Sequence, residues 1–205
     1  GHPVVFAHVP KTGGTWTRRA LGLEKVHGEH GPPSQVAYLL DTHSVVAQIR
    51  DPWSWYASLY AHLSHMGRVD DLASWGDGDP SWAAVLQGWT DTTSTERPGR
   101  ILGLPLAAPG AVGLWSRVYE TFLGDRPATL IDLAAVAAGW AELLDTDSSD
   151  MPAENTRGSS AAYRKLYSKA QRERVRKADS ALIKACGYSF LGKAKSGPLV
   201  PWPIR

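Results

Sequence analysis

Apolar and polar positions alternate along this chain in blocks of strand and helix length. Three short apolar runs, Val4–Val9, Ser44–Ile49 and Ala128–Leu133, read as buried strands. A helical pattern follows Gly14, a second short one runs through Ser34–Leu40, and a third extends from Trp53 to about His65. In that third segment Tyr56, Leu59, Tyr60 and Leu63 share one face, leaving Ser58 on the opposite face beside Ser54. Strand, helix, strand, helix in this order predicts an α/β fold, a parallel central sheet flanked by helices. Residues 67–113 break the pattern. They are rich in Gly, Asp, Pro, Ser and Trp, with only Trp82–Trp89 helical, and read as an irregular lid or acceptor-site wall within a single domain. Ala134–Leu144 is helical again and Asp145–Asp150 is a polar linker. Tyr163–Cys186 reads as one long amphipathic helix or a helix pair, with Val175, Ala178, Leu182 and Cys186 at helical spacing. Gly187 ends it, and Pro198–Pro203 is expected to be an extended strap.

Composition narrows the possibilities. The 205 residues are 43% hydrophobic and 20% charged, enough for one sizeable core. No apolar run approaches the roughly 18–20 residues of a membrane span, and no basic flank precedes the first strand, so neither a span nor a signal peptide is expected. Cys186 is the only cysteine, which excludes an intrachain disulfide and a cysteine-based metal cluster and favours a reducing, cytoplasmic setting. The net charge of +2 is unevenly spread: residues 157–195 carry 11 Lys/Arg against Glu173 and Asp179, a net +9. Such a basic, helical C-terminal part suits an anionic ligand, or is simply a solvated helix face. Arg172–Lys177 lacks interleaved aromatics, so no nucleic-acid partner is expected.

The candidate chemistry lies in two places. In Phe6-Ala7-His8-Val9-Pro10-Lys11-Thr12-Gly13-Gly14-Thr15-Trp16 an apolar strand enters a glycine turn that opens a helix. Glycines let backbone N–H groups converge on an anion, Lys11 adds a full charge, and Thr12 and Thr15 add hydroxyls. Lysine precedes the glycines here, and no Gly-Lys-Ser/Thr follows to hold magnesium, so this is not the common nucleotide-kinase loop. In Ile49-Arg50-Asp51-Pro52-Trp53-Ser54-Trp55-Tyr56-Ala57-Ser58 a buried strand delivers Arg50 at its C-terminal end, where open α/β sheets bind ligands. Asp51 is a natural N-cap and Pro52 a natural first helical residue. Arg50 and Ser58 are suited to holding one phosphate.

Together these segments resemble the sulfotransferase superfamily that uses 3′-phosphoadenosine 5′-phosphosulfate (PAPS). Pro10–Trp16 is similar to its 5′-phosphosulfate loop, and Arg50 to Ser58 to its 3′-phosphate motif. A looser match covers Met151-Pro152-Ala153-Glu154-Asn155, Tyr163, Leu166-Tyr167, Asp179 and Gly187-Tyr188-Ser189-Phe190, as in small bacterial and carbohydrate-type members. The resemblance implies a P-loop-type sheet and sulfuryl transfer from PAPS, leaving adenosine 3′,5′-bisphosphate (PAP), with no metal. It implies that Lys11 stabilises the leaving phosphate, that Thr12, Gly13, Gly14 and Thr15 hold the 5′-phosphate, and that Arg50 and Ser58 hold the 3′-phosphate. Trp16 would stack on adenine, and Arg157 would add a 3′-phosphate contact.

The acceptor, a hydroxyl on a small molecule, glycan or glycosylated natural product, needs a base. His30 is the first candidate, followed by His27, Glu29 and His43; His43 starts the strand leading to Arg50 and is expected at the opposite sheet edge. His8, inside the first strand, reads as a core residue. Trp75, Trp82 and Trp89 either wall an acceptor pocket or form a small core under the lid. The alternative functions are a P-loop nucleotide kinase and a catalytically silent nucleotide-binding module.

Overall fold

A computed structural model describes residues 3–23, 42–94, 99–106, 112–147, 149, 162–191 and 199–203. The chain divides into two compact units. The first comprises Gly1–Arg50, Phe122–Gly158 and Ala194–Arg205, and the second Asp51–Thr121 and Ser159–Lys193.

The first unit is built on a four-stranded sheet of β1 (Val4–Ala7), β2 (Ser44–Ile49), β5 (Ala128–Asp132) and β6 (Leu199–Trp202), in that spatial order. The first three strands are parallel, with Ala7 opposite Ala47 and Ile49 opposite Asp132, so the residues that follow them all emerge at one edge of the sheet. The three expected strands therefore form, within two residues of their expected ends. β6 is antiparallel to β5, which makes the sheet mixed and corrects the reading of Pro198–Pro203 as a strap. An edge strand pairs on one side only and so tolerates a proline, and Pro201, the proline within β6, is exposed there.

One sheet face packs Val46 and Ile131 against Val136 and Trp140 of α6 (Val136–Leu144), with Phe6, Trp16 and Leu199 around them. Phe6 meets Trp140 edge-on at 5.6 Å. The opposite face, Val45, Ala47, Ile49 and Leu130, is buried as well. Burial on both faces explains why β2 reads as a continuous apolar run rather than an alternating one. α1 (Gly14–Ala20) starts after Gly13, whose φ of 82° only glycine adopts without cost. The helical pattern read at Ser34–Leu40 lies outside the described residues.

The second unit is helical. α2 (Pro52–His65) begins as its sequence suggests, with the Asp51 carboxylate accepting from Ser54 N at 2.9 Å and Pro52 in the first turn. Residues 52–57 are all buried, so Ser54 is not on an exposed face: its hydroxyl bonds back to Asp51, while Ser58 is half-buried. In the segment expected to be irregular apart from a helix at Trp82–Trp89, that helix forms as expected and the described residues hold further regular structure. The segment contains α3 (Val69–Trp75), α4 (Trp82–Trp89) and a hairpin of β3 (Arg100–Ile101) and β4 (Leu104–Pro105). Seven-residue α3 buries only Leu72 and Trp75, too short a stripe for periodicity to reveal. Trp75 and Trp89 are fully buried, and Trp89 stacks on Tyr56 at 5.8 Å, so these two serve the core rather than a pocket wall. Half-buried Trp82 meets Tyr60 and Tyr167 edge-on and donates Nε1–H to the Leu166 carbonyl at 3.0 Å.

α5 (Leu114–Leu123), α7 (Lys169–Ala178) and α8 (Ser180–Cys186) are joined by a buried polar network. The Asp179 carboxylate accepts from Ser116 N (3.0 Å), Ser116 Oγ (2.8 Å) and Tyr56 Oη (2.9 Å), while Tyr56 Oη accepts from Trp115 N (3.1 Å). Two orphan N–H groups of the α5 start are thereby satisfied from sequence-distant residues. Burial raises the Asp179 carboxyl to about 6, against the lowering effect of the Ser116 and Tyr56 hydrogen bonds. The Tyr163–Cys186 segment is thus a helix pair, with Val175, Ala178, Leu182 and Cys186 buried as expected. Gly187 closes it at a φ of 67°.

Candidate functional site

The site is built from the first unit alone. β1 ends at Ala7 and the chain turns through Val9–Gly13 before α1 begins. Lys11 is held at a φ of 67°, a left-handed backbone that costs a non-glycine residue about 1–2 kcal/mol. Side chains tie this turn down. Thr12 Oγ1 donates to the Val9 carbonyl at 2.7 Å, and Arg50 Nη1 donates to the Lys11 carbonyl at 3.3 Å. Thr12 is completely buried, which corrects its reading as a hydroxyl donor to a ligand; Thr15 is exposed. Among the described residues, no backbone carbonyl accepts from the N–H groups of Thr12, Gly13, Gly14 or Thr15.

The glycines answer to local geometry. A Cβ on Gly14 would lie 1.9 Å from Cδ2 of His8, whose ring stacks on Phe6 at 6.0 Å. His8 thus packs against the turn, although it lies one residue past the end of β1 and is half-buried, which corrects its reading as a core residue inside the strand. A Cβ on Gly13 would meet Leu133 Cδ1 at 2.7 Å. Trp16 is half-buried and packs against the Val46–Trp140 cluster, so at least part of its ring serves the core.

Arg50 leaves β2 at the same edge at which the Lys11 turn leaves β1. Burial, and then the Arg50 guanidinium, hold the Lys11 ammonium below its ordinary range. Two cations this close oppose each other's charge, and an anion between or beside them relieves that cost. The edge is therefore chemically suited to a phosphate or sulfate group.

Two residues at this edge escaped the sequence reading. Gln48 is completely buried. The carboxamide orientation that satisfies its neighbours donates Nε2–H to the Thr12 carbonyl at 2.9 Å, and its Oε1 accepts from Trp140 Nε1 at 3.2 Å and from Thr17 Oγ1. The signal was present: it is the lone carboxamide in the apolar run Ser44–Ile49. Asp132, at the end of β5, is buried and caps the following 3₁₀ turn by accepting from Ala134 N at 3.0 Å. Its capping role is legible only once the strand end is known.

His43 immediately precedes β2 and lies 2.8 Å from Thr42 Oγ1 through its Nδ1. With β1 and β2 parallel, it sits at the other edge of the sheet from Lys11, on the order of 20 Å away at the usual rise per strand residue. That corrects its candidacy as a base. His27, Glu29, His30 and Arg157 lie outside the described residues, as do residues 151–155. Ser58 belongs to the second unit. Among the described residues no group of three or more His, Cys, Asp or Glu side chains converges as metal ligands do, and no helix is long and apolar enough to cross a membrane.

No protein-family profile, no curated protein and no solved structure matches this chain.

Proposed function

We propose that the chain is a PAPS-dependent sulfotransferase acting on an acceptor hydroxyl. The observation that carries this reading is the convergence of Lys11 and Arg50 at the ends of two adjacent parallel strands, with Arg50 donating to the Lys11 carbonyl. The N–H groups of residues 12–15 support it, since among the described residues no backbone carbonyl accepts from them and an anion suits them as a partner. The order and type of residues in the two motifs favour a phosphosulfate donor over a magnesium nucleotide, because Lys11 precedes the glycines.

PAPS, when bound, supplies an activated sulfuryl group on a phosphate leaving group. Lys11 neutralises charge developing on the bridging oxygen as the S–O bond breaks and the acceptor oxygen bonds to sulfur. The backbone of Thr12–Thr15 holds the 5′-phosphate, Arg50 holds the 3′-phosphate with Arg157 as a further contact, and the exposed part of Trp16 faces adenine. A base accepts the acceptor proton, with His30 first and His27 and Glu29 behind it. The protein's part is positioning and charge stabilisation, as in phosphoryl transfer.

The test is calorimetry in magnesium-free buffer, followed by transfer from labelled PAPS to a panel of hydroxyl acceptors. Adenosine 3′,5′-bisphosphate is expected to bind tightly and ATP poorly. A preference for ATP, or a requirement for magnesium, refutes the assignment and favours a nucleotide kinase. Tight bisphosphate binding without transfer to any acceptor favours the catalytically silent module.

A further inference from the structure

We infer that Gln48 is the positioning residue of the Lys11–Thr15 turn, aiming its N–H groups at the ligand; this rests on the reading of that turn as a phosphosulfate site. The peptide unit is planar and trans, so a carbonyl and the N–H across the same bond point in opposite directions. Arg50 draws the Lys11 carbonyl to one side and Gln48 draws the Thr12 carbonyl, at 3.3 and 2.9 Å. The N–H groups of Thr12 and Gly13 are thereby turned away from those donors, and neither finds a backbone carbonyl among the described residues.

The strained φ of 67° at Lys11 needs such ties, because nothing in its own side chain favours that conformation. Gln48 is the tie with the most fixed geometry. Its other end is anchored by Trp140 Nε1–H at 3.2 Å and by the Thr17 hydroxyl, both in the buried interior of the same unit. Only a carboxamide offers a donor at one end and an acceptor at the other in this space. Replacing it by Glu retains the acceptor and makes the donor conditional: a protonated carboxyl donates to the Thr12 carbonyl, and an ionised one repels it.

The experiment compares Gln48→Met and Gln48→Glu with wild type, following amide exchange corrected for its intrinsic pH dependence. The reporters are Trp16 and Thr17, whose N–H groups bond to the Gly13 carbonyl at 2.9 and 3.3 Å. In Q48M they are expected to exchange about tenfold faster, the equivalent of one lost hydrogen bond, while Val46 and Leu130 in the sheet are unchanged. In Q48E they are expected to match wild type at pH 5 and to lose protection at pH 8. Exchange of Trp16 and Thr17 within twofold of wild type in Q48M, or without pH dependence in Q48E, overturns the inference. Should Q48M fail to fold, Q48E decides. The functional arm measures affinity for adenosine 3′,5′-bisphosphate and for adenosine 3′-phosphate. Q48M is expected to bind the first about tenfold more weakly and the second as wild type does. An equal loss for both overturns the positioning role. Wild-type protein that binds neither overturns the sulfotransferase reading instead, and the exchange result then judges Gln48 by itself.

Discussion

Asn at position 179 should change how the stability of the second unit responds to pH. The wild-type carboxyl titrates near 6 in the fold against 3.8 for the ordinary group, because burial outweighs the help from Ser116 and Tyr56. Between about pH 4 and 6 the folded protein therefore holds more protons than the unfolded chain, and stability falls as pH rises through that window. At about 1.4 kcal/mol per pKa unit, the loss by pH 7 is about 3 kcal/mol relative to pH 3. Asp179→Asn keeps the shape, keeps an oxygen for Ser116 and removes the titration. Urea denaturation followed by tryptophan fluorescence at several pH values gives both stabilities, and their difference cancels the other titrating groups. The gap between variant and wild type should shift by about 3 kcal/mol in favour of D179N from pH 3 to 7, most of it between pH 4 and 6. A gap that stays constant to within about 0.5 kcal/mol refutes the idea that this carboxylate is ionised at a cost inside the fold.

Further outcomes follow from the first unit. Arg50→Ala should weaken adenosine 3′,5′-bisphosphate binding by about 2–4 kcal/mol in calorimetry, through loss of a charge-assisted contact, and weaken adenosine 5′-phosphosulfate less; equal losses contradict the 3′-phosphate role. Lys11→Ala should cut turnover in a PAPS assay by roughly 10²–10³-fold while nucleotide affinity falls less, and full activity would reduce the turn to a structural element. Gly14→Ala should destabilise by about 1–3 kcal/mol in thermal melts because its Cβ meets the His8 ring, and His8→Ala in the same chain should recover most of that loss. His43→Ala should leave transfer rates unchanged, given its place at the far sheet edge.

Much of the fold was legible because local pattern and tertiary role agree here. The central strand β2 is buried on both faces, and a strand buried on both faces is largely apolar, so Val45, Val46 and Ala47 announce it without help. The start of α2 was equally readable, because an N-cap carboxylate and a following proline act within one turn of backbone. The Lys11–Thr15 turn and Arg50 were visible as residue types at strand ends. That the two meet, with the guanidinium on the Lys11 carbonyl, depends on β1 and β2 being neighbours, which nothing within either segment specifies.

What stayed hidden depends on partners distant in sequence. Pro198–Pro203 has the composition of an unpaired tail, and only the free edge of β5 makes it a strand. The run from 67 to 113 looks irregular outside Trp82–Trp89 because α3 is too short to display a stripe, yet Trp75 and Trp89 help order it by filling a core whose other walls come from elsewhere in the chain. Asp179 and Gln48 stand out in sequence only as polar residues within apolar patterns, which does not say what they bond to. Each becomes decisive because folding brings it donors or acceptors from segments that spacing cannot relate, Ser116 and Tyr56 for one, Thr12 and Trp140 for the other. The sequence by itself determined the strands, the caps and the charged residues of the candidate site, since those follow from periodicity and single-turn chemistry. Tertiary structure decided sheet order, the edge strand and the buried hydrogen bonds between sequence-distant residues, because burial makes a polar group costly unless a partner arrives, and the partner is chosen by the fold.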